Sequence, residues 1–535
     1  MSTMTRILLV YPNFDAPSFW DFRKVCEVTG SKASLPPLGL ITIAALFPPD
    51  WEVRLVDRNI EPLTDTDLDW ADLVLTGGMI PQRPDAKRIV ELAQAHGKPV
   101  VVGGPDVTSS PDAYAHAAFR ILGEAETTIA DLVAAWERGE RTGTFEAPRY
   151  QTDITKSPVP RFDLLKIEAY LSLGVQFSRG CPFTCEFCDI IELYGRVPRT
   201  KAAEQMLAEL DALIATGFRG TVYFVDDNLI GNKKAVKAFL PHLIAWLDER
   251  GYPIDFATEA SINLADDEEL LKLLSEANFG TVFIGIESPD PDTLVSTSKK
   301  QNVRRALSES VERIYDAGIM IAAGFIIGFD TEKGAVADGL VDCIEENDIP
   351  CAMVGLLTAL PETQLTRRLV REGRLDPGID LGQIGELGGD QCTAGLNFTT
   401  LRPRRDILAD YRNVLSRIYD TQAFFDRNRS LMLRLRRPKL PTKFQPRTFR
   451  RDAMTVLRML WWLVARYPEA RWPYLRTLVE CLVRNPAAIK QVVSQMVFYF
   501  HLAPFSKYVI DHLDREIASL DANGDPHARI CVAAS

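Results

Sequence analysis

Short apolar runs, each closed by glycine, a carboxylate or cysteine and followed by an amphipathic stretch, recur from Arg6 to about Leu375. A chain with this alternation buries both faces of its strands only in parallel sheets covered by helices. The spacing predicts strands at Arg6–Tyr11 (RILLVY), 52–56, 73–76, Val100–Gly103 (VVVG) and Phe119–Leu122, with a helix over 85–96. That is the pattern of a doubly wound, Rossmann-like sheet, whose ligands bind beyond the carboxyl ends of the strands. Gly77, Gly78, Gly103, Gly104, Pro105, Gly123 and Glu124 stand at those ends. Glycine lets a backbone approach a large flat ligand with no Cβ in the way, and it equally serves tight turns. Dinucleotide binding is disfavoured, because no G-x-G-x-x-G follows the first strand.

The segment FSRGCPFTCEFCDI carries Cys181, Cys185 and Cys188 in Cys-x3-Cys-x2-Cys spacing. Structural zinc sites use four ligands, commonly in paired Cys-x2-Cys units, and no second pair stands nearby. Three thiolates suit three irons of a [4Fe–4S] cluster and leave the fourth iron open. The other cysteines, at 26, 343, 351, 392, 481 and 531, lack ligand spacing and read as small hydrophobes.

Beyond the cysteines the strand–helix rhythm resumes. A strand over 173–177 leads into the cysteine loop, and Met206, Leu207, Leu210, Leu213 and Ile214 mark a helix over 202–216. Further apolar runs end in TVYFVDDN, FATE, TVFIGIES and GFIIGFD, so Asp226, Asp227, Glu259, Glu287, Ser288, Gly324, Gly328 and Asp330 lie at or beside strand ends. Carboxylates at the C-terminal ends of barrel strands face the site. The basic residues Arg196, Arg199 and Lys201 are candidate ion-pair partners for Glu259 or Glu287.

With Phe187 before the last cysteine, the cysteine segment resembles the radical SAM superfamily, whose open iron holds S-adenosylmethionine (SAM). VVGGPDVTSSPDAY followed by ILGEAE resembles the cobalamin-binding domain that precedes many radical SAM domains. FPP, CEFCDI, LYGR, YFVDDN, IGN and the LPPLGLITIAA run at 35–45 are similar to the hopanoid C-2 methylase-like subfamily. The likeness fades beyond about Leu440. It implies an α/β chain: a cobalamin-binding domain at 1–138, a linker at 139–165, a partial (β/α)6 radical SAM barrel at 166–375 and a helical region at 376–535. It implies that Cys181, Cys185 and Cys188 hold the cluster and that Asp226 or Asp227, with a slight preference for Asp226, holds the SAM amino group. Phe187, Glu259, Glu287 and Gly324 are implied as further SAM contacts, and the glycine set with Pro105 and Glu124 as cobalamin contacts. The cobalt-ligating histidine of many such domains is missing, since the place reads Asp57-Arg58-Asn59; His96 and His116 read as surface residues.

The chemistry so implied is transfer of a methyl group from SAM through methylcobalamin to an unactivated carbon, with a second SAM cleaved to a 5′-deoxyadenosyl radical. The protein's part in such chemistry is orientation and exclusion of water rather than acid–base catalysis. The acceptor is read as a hydrophobic, hopanoid-type lipid; the alternative is a cyclase or methylase of tetrapyrroles or natural-product precursors. A flavodoxin or ferredoxin is the implied reductant. Net charge of −11 disfavours nucleic acid, and free thiols with no evident secretory signal fit a cytoplasmic location. The tail joins arginine-rich stretches, including Arg427, Arg429, Arg434, Arg436, Arg437, Lys439, Lys443, Arg447, Arg450 and Arg451, to tryptophans. This composition reads either as a segment lying on the inner membrane face or as a helical subdomain with a solvated basic side.

Overall fold

The structure, a computed structural model, describes residues 4–524 except 16, 20, 376–391, 394, 439 and 442–445. The first sheet contains β1 (Arg6–Tyr11), β2 (Glu52–Asp57), β3 (Leu73–Gly77), β4 (Val100–Gly103), β5 (Phe119–Leu122) and β6 (Gly143–Glu146). All pair in parallel, in the order β2-β1-β3-β4-β5-β6. Ile7, Leu8, Leu9 and Val10 are wholly buried. Alternate residues feed two cores, one containing Leu8, Val74 and Val100, the other Ile7, Leu75 and Val101. Strand order reverses between β1 and β3, which makes that C-terminal edge the ligand side of such a sheet.

The sixth strand falls in the stretch read as linker. Its side chains alternate between half-buried and exposed, and its one aromatic, Phe145, stacks on Phe119 at 6.2 Å. Such a short edge strand leaves almost no apolar run to detect.

The second half contains β7 (Leu173–Val175), β8 (Ser178–Arg179), β9 (Arg199–Thr200), β10 (Thr221–Phe224), β11 (Asp255–Glu259), β12 (Phe279–Glu287), β13 (Met320–Ile327) and β14 (Cys351–Leu356). Six of these form a parallel sheet in the order β14-β13-β12-β11-β10-β7. The sheet does not close, because β7 and β14 are both edge strands, and the expected partial barrel is present. β8 and β9 pair antiparallel and tie the two ends of the cysteine loop together. Phe224, Phe256 and Phe279 pack ring to ring across neighbouring strands at 5.2–5.4 Å.

The tail is helical where described, with helices Arg404–Ile418, Thr421–Arg434, Pro446–Arg466, Arg471–Arg484 and Ile489–Asn523. The boundary proposed at 375/376, Lys439, Lys443 and Cys531 lie outside the described residues. The 35-residue last helix packs on Arg404–Ile418 and on Arg23–Thr29 of the N-terminal half. His501, buried in it, shares a hydrogen bond with the Ser18 carbonyl at 3.0 Å, and Phe22 meets Phe498 edge-on at 5.1 Å.

The tail arginines from 427 to 437 do not form a free basic side. Arg427 is buried and pairs with Glu345, Arg429 with Glu480, Arg434 with Asp348 and Arg436 with Asp316. Arg437 donates to the carbonyls of Phe279 and Gly318 at 3.0 Å and to Asn278 at 2.9 Å. Arg427, Arg434, Arg436 and Arg437 fasten the tail to the barrel, and Arg429 joins two tail helices; linear sequence hid acids that lie far away along the chain. Among the described residues, no helix is long and apolar enough to cross a membrane.

Candidate active site

The cysteine loop is shaped by its own backbone and by the residues closing β10. Gly180 has φ +96°, and a Cβ there would lie 2.9 Å from the Gly195 carbonyl oxygen; that carbonyl accepts from the Cys181 N–H at 3.2 Å. Only glycine meets both demands. Asp226 accepts from the N–H of Phe177 at 3.0 Å and from both the N–H and hydroxyl of Ser178. Asp227 accepts from the Gly180 N–H at 3.2 Å. The pair thus anchors the entry to the loop, Asp226 through three hydrogen bonds and Asp227 through one.

The three thiols sit partly exposed on this loop. Burial pushes the Cys188 thiol well up and the Cys181 thiol up. Asn228 donates to Cys181 Sγ at 3.7 Å, which opposes its shift, and Gln301 donates to Cys185 Sγ at 3.8 Å. Donors aimed at sulfur favour the thiolate that binds iron. Among the described residues, no three Cys, His, Asp or Glu side chains are placed to hold a single metal ion. The three thiolates on one loop suit a cluster, which takes each thiolate at a different iron. Asn228 belongs to the TVYFVDDN strand end already legible in the sequence, whereas Gln301 is a functional candidate that only the contact reveals.

Glu259 ends β11 and lies beside Asp226 and Asp227. Burial, reinforced by those two charges, pushes its carboxyl up to about 8; Asp227 is pushed up to about 7 and Asp226 to about 6, chiefly by burial. Tyr223 donates to Glu259 at 3.3 Å. Three carboxyls crowded beside the thiols, with no lysine or arginine hydrogen-bonded to any of them among the described residues, form a site that a cation would relieve, and SAM is a cation.

Glu287, at φ +68°, pairs with the buried Lys299. Burial alone would lower Lys299, but Glu287 and the neighbouring Cys185 hold it above its usual value. Its ammonium lies 5.8 Å from the centre of the Phe187 ring. The expected pairing of the 196–201 basic residues with Glu259 or Glu287 does not occur: Arg199 pairs with Glu124 and Lys201 with Glu209. Asp330 is held by Arg368 and Arg374. Gly324 leaves space for Phe283, whose ring lies 3.0 Å from where a Cβ would be. A cavity of 280 Å³ opens beside the loop between Phe187, Thr297, Phe329, Asp330, Leu357 and Arg368.

At the N-terminal sheet, Gly77, Gly78, Gly103, Gly104 and Gly123 are half-buried along one edge. A Cβ on Gly77 would overlap the Gly103 carbonyl, so Gly77 is explained by strand contact alone. Gly104 has φ +95° and its nearest neighbour 3.6 Å from a Cβ position, leaving open backbone where a ligand would lie. Pro105 begins the short helix Pro105–Ser109, whose Asp106 is buried with Arg83 and Tyr114. At the missing-histidine site, Asp57 accepts from Asn59 and from Tyr170 at 2.9 Å, and Arg58 pairs with Asp85. His96 caps helix Arg83–Ala95 at the far edge of the sheet. At the carboxyl edge of the sheet, Gly103 and Gly104 are therefore the positions where the backbone lies open.

Glu124 joins the two halves. It accepts from Arg179 at 2.9 Å and from Arg199 at 2.7 Å, the two residues paired across the β8–β9 ladder. Arg179 also donates to Glu126 at 2.6 Å. Glu124 therefore does not point freely at a ligand; it fixes the glycine edge against the cysteine loop.

Three family models match the chain: a B12 binding domain over 28–133, the radical SAM superfamily over 175–338, and a domain of unknown function over 363–515. An uncharacterized methyltransferase of Synechocystis sp. is 43% identical, covering 96% of this chain and 94% of its own. The hopanoid C-2 methylase of Rhodopseudomonas palustris is 36% identical, covering 93% and 94%. In fold, the chain is similar to the cobalamin-dependent SAM radical enzyme OxsB, with TM-score 0.60 and 15% identity over 97% of this chain and 81% of that one. It is also similar to the radical SAM methyltransferase TsrM from Kitasatospora setae, with TM-score 0.57 and 17% identity over 70% and 80%. The chain belongs to the cobalamin-binding radical SAM family and is a methyltransferase that works with a [4Fe–4S] cluster, SAM and cobalamin.

Proposed function

We propose that the acceptor is an unactivated carbon of a polycyclic, hopanoid-type lipid. The observation that carries this reading is likeness along nearly the whole chain, tail included, to a hopanoid C-2 methylase. Bound cluster supplies an electron to SAM, and bound cobalamin carries the methyl group. Cys181, Cys185 and Cys188 would hold the cluster. Asp227 and Glu259 are the residues for the SAM ammonium and ribose, because Asp226 already accepts three hydrogen bonds from the loop. Gly324 and Phe187 border the space left for the rest of SAM. Gly78, Gly103, Gly104 and Gly123 supply the backbone edge for cobalamin, with Glu124 and Arg179 setting its position relative to the loop.

The protein's contribution is geometric, since misplacing reacting partners by about 1 Å costs on the order of a hundredfold in rate. The open side of the barrel between β7 and β14 gives a bulky acceptor room that a closed barrel lacks. A flavodoxin or ferredoxin is the proposed electron source. The test is anaerobic incubation of cofactor-loaded protein with reductant and methyl-labelled SAM against two acceptor pools, polycyclic triterpenoids and chlorophyll-type tetrapyrroles. Label in the triterpenoids is the expected result; label only in tetrapyrroles overturns the substrate reading.

A further inference from the structure

Helices Pro446–Arg466 and Arg471–Arg484 are apolar on both sides. The inner side of the first buries Met459, Trp462 and Leu463, and that of the second buries Tyr474, Thr477 and Cys481. Tyr474 reaches Met459 at 3.9 Å, so the two inner faces meet one core. On the outer side stand Met454, Leu457, Trp461 and Val464, spaced three, four and three residues apart. Trp472, Leu475, Val479 and Leu482 repeat the same spacing on the second helix. These side chains are 38–79% exposed, and the two tryptophans are 58% and 79% exposed. A surface helix of a globular protein ordinarily presents charge to solvent, and exposed apolar stretches of this kind mark interaction sites.

The charges at the borders indicate the occupant. Residues 446–488 hold eight arginines against three acids, within a chain whose net charge is −11. Arg450, Arg458, Arg466, Arg471, Arg476 and Arg484 are exposed along the same two helices; Arg458 and Arg471 also donate to the Thr29 and Leu463 carbonyls, and Arg476 to Glu480. Tryptophan beside arginine on an apolar helix face matches a bilayer interface, where rings sit at headgroup depth and guanidinium groups meet anionic headgroups. We propose that these two helices dock the protein on an anionic lipid bilayer, lying in its surface without crossing it. The determinants are the outer apolar face and the exposed arginines beside it, rather than Arg427, Arg434 and Arg437, which are held against the barrel. The proposal extends the lipid-acceptor reading above but stands on separate observations.

The test is flotation of the full-length protein with phosphatidylcholine vesicles, with and without phosphatidylglycerol, at low and high salt. The expected result is binding to the anionic vesicles, at least tenfold weaker in the L457Q/W461Q/W472Q/V479Q variant, with tryptophan fluorescence quenched by brominated lipid. All four positions are exposed, and an unchanged circular dichroism melt shows that the variant is folded. No binding to vesicles of any composition overturns the proposal. So does sedimentation showing that the same variant converts a dimer to a monomer, because a second copy would then cover the face. Methyl transfer to detergent-dispersed acceptor separates the two readings: a variant that keeps it while losing vesicles leaves the methylase assignment intact, and an acceptor failure in the parent protein leaves docking untouched.

Discussion

Arg179, two residues before Cys181, donates to Glu124 at the carboxyl edge of the N-terminal sheet at 2.9 Å. A residue leading into the cysteine loop is thereby bonded to the loop that follows β5 of the N-terminal sheet. Breaking the link should separate two reactions that otherwise run together. Arg179→Ala should cut methyl transfer by about a hundredfold while SAM cleavage falls by only about threefold, a difference about tenfold or more that reflects positioning rather than chemistry. Liquid chromatography of 5′-deoxyadenosine and methylated product from the same incubation reads both. Equal loss of the two would show that Arg179 serves the cluster alone.

The amide donors to sulfur predict a spectroscopic change. Hydrogen bonds to cluster sulfurs raise the reduction potential. Asn228→Ala and Gln301→Ala, which remove donors to Cys181 and Cys185, should each lower the midpoint potential with iron content unchanged. A redox titration followed by electron paramagnetic resonance makes the comparison. Cys181→Ala, by contrast, should abolish cluster absorption and SAM cleavage together.

Glu259 gives a pH dependence with a definite sign. Its folded value, pushed up to about 8 by burial and by Asp227 and Asp226, exceeds the ordinary value of 4.5 for glutamate. The folded state then binds the extra proton, so stability declines as pH rises from about 4.5 to about 8. Without cofactors, Glu259→Gln should match the parent near pH 4 and exceed it above pH 8, by on the order of a few kcal/mol. Urea unfolding across that range measures it; a constant difference at all pH values would contradict the buried-charge account.

Arg437 separates fastening from membrane attraction. Its guanidinium satisfies two carbonyls and an amide oxygen at the ends of the β12 and β13 entry turns. Arg437→Ala should destabilise by about 2–3 kcal/mol, the cost of stranding buried acceptors, and leave vesicle binding unchanged. Denaturant melts and flotation of one preparation decide the point.

Much of the fold was legible because β1, β3 and β4 are buried on both faces and read as nearly unbroken apolar runs. The cysteine spacing was equally plain. β6 was not, since only Phe145 turns inward. The roles of Asp226, Glu124 and Glu287 were hidden for another reason. Each sits at a strand end as expected, but its partner, Ser178, Arg179 or Lys299, is set by tertiary folding. The same blindness made Arg434 and Arg437 look like free surface charge.

The most direct test of the account follows the methyl group itself. The protein reconstituted anaerobically with cluster and hydroxocobalamin is given reductant, deuteromethyl-SAM and triterpenoid lipid. The account predicts lipid carrying the intact deuterated methyl group, formed with 5′-deoxyadenosine and only when cobalamin is present. Deuterated lipid formed equally well without cobalamin, or 5′-deoxyadenosine formed with no methylated product, would contradict it.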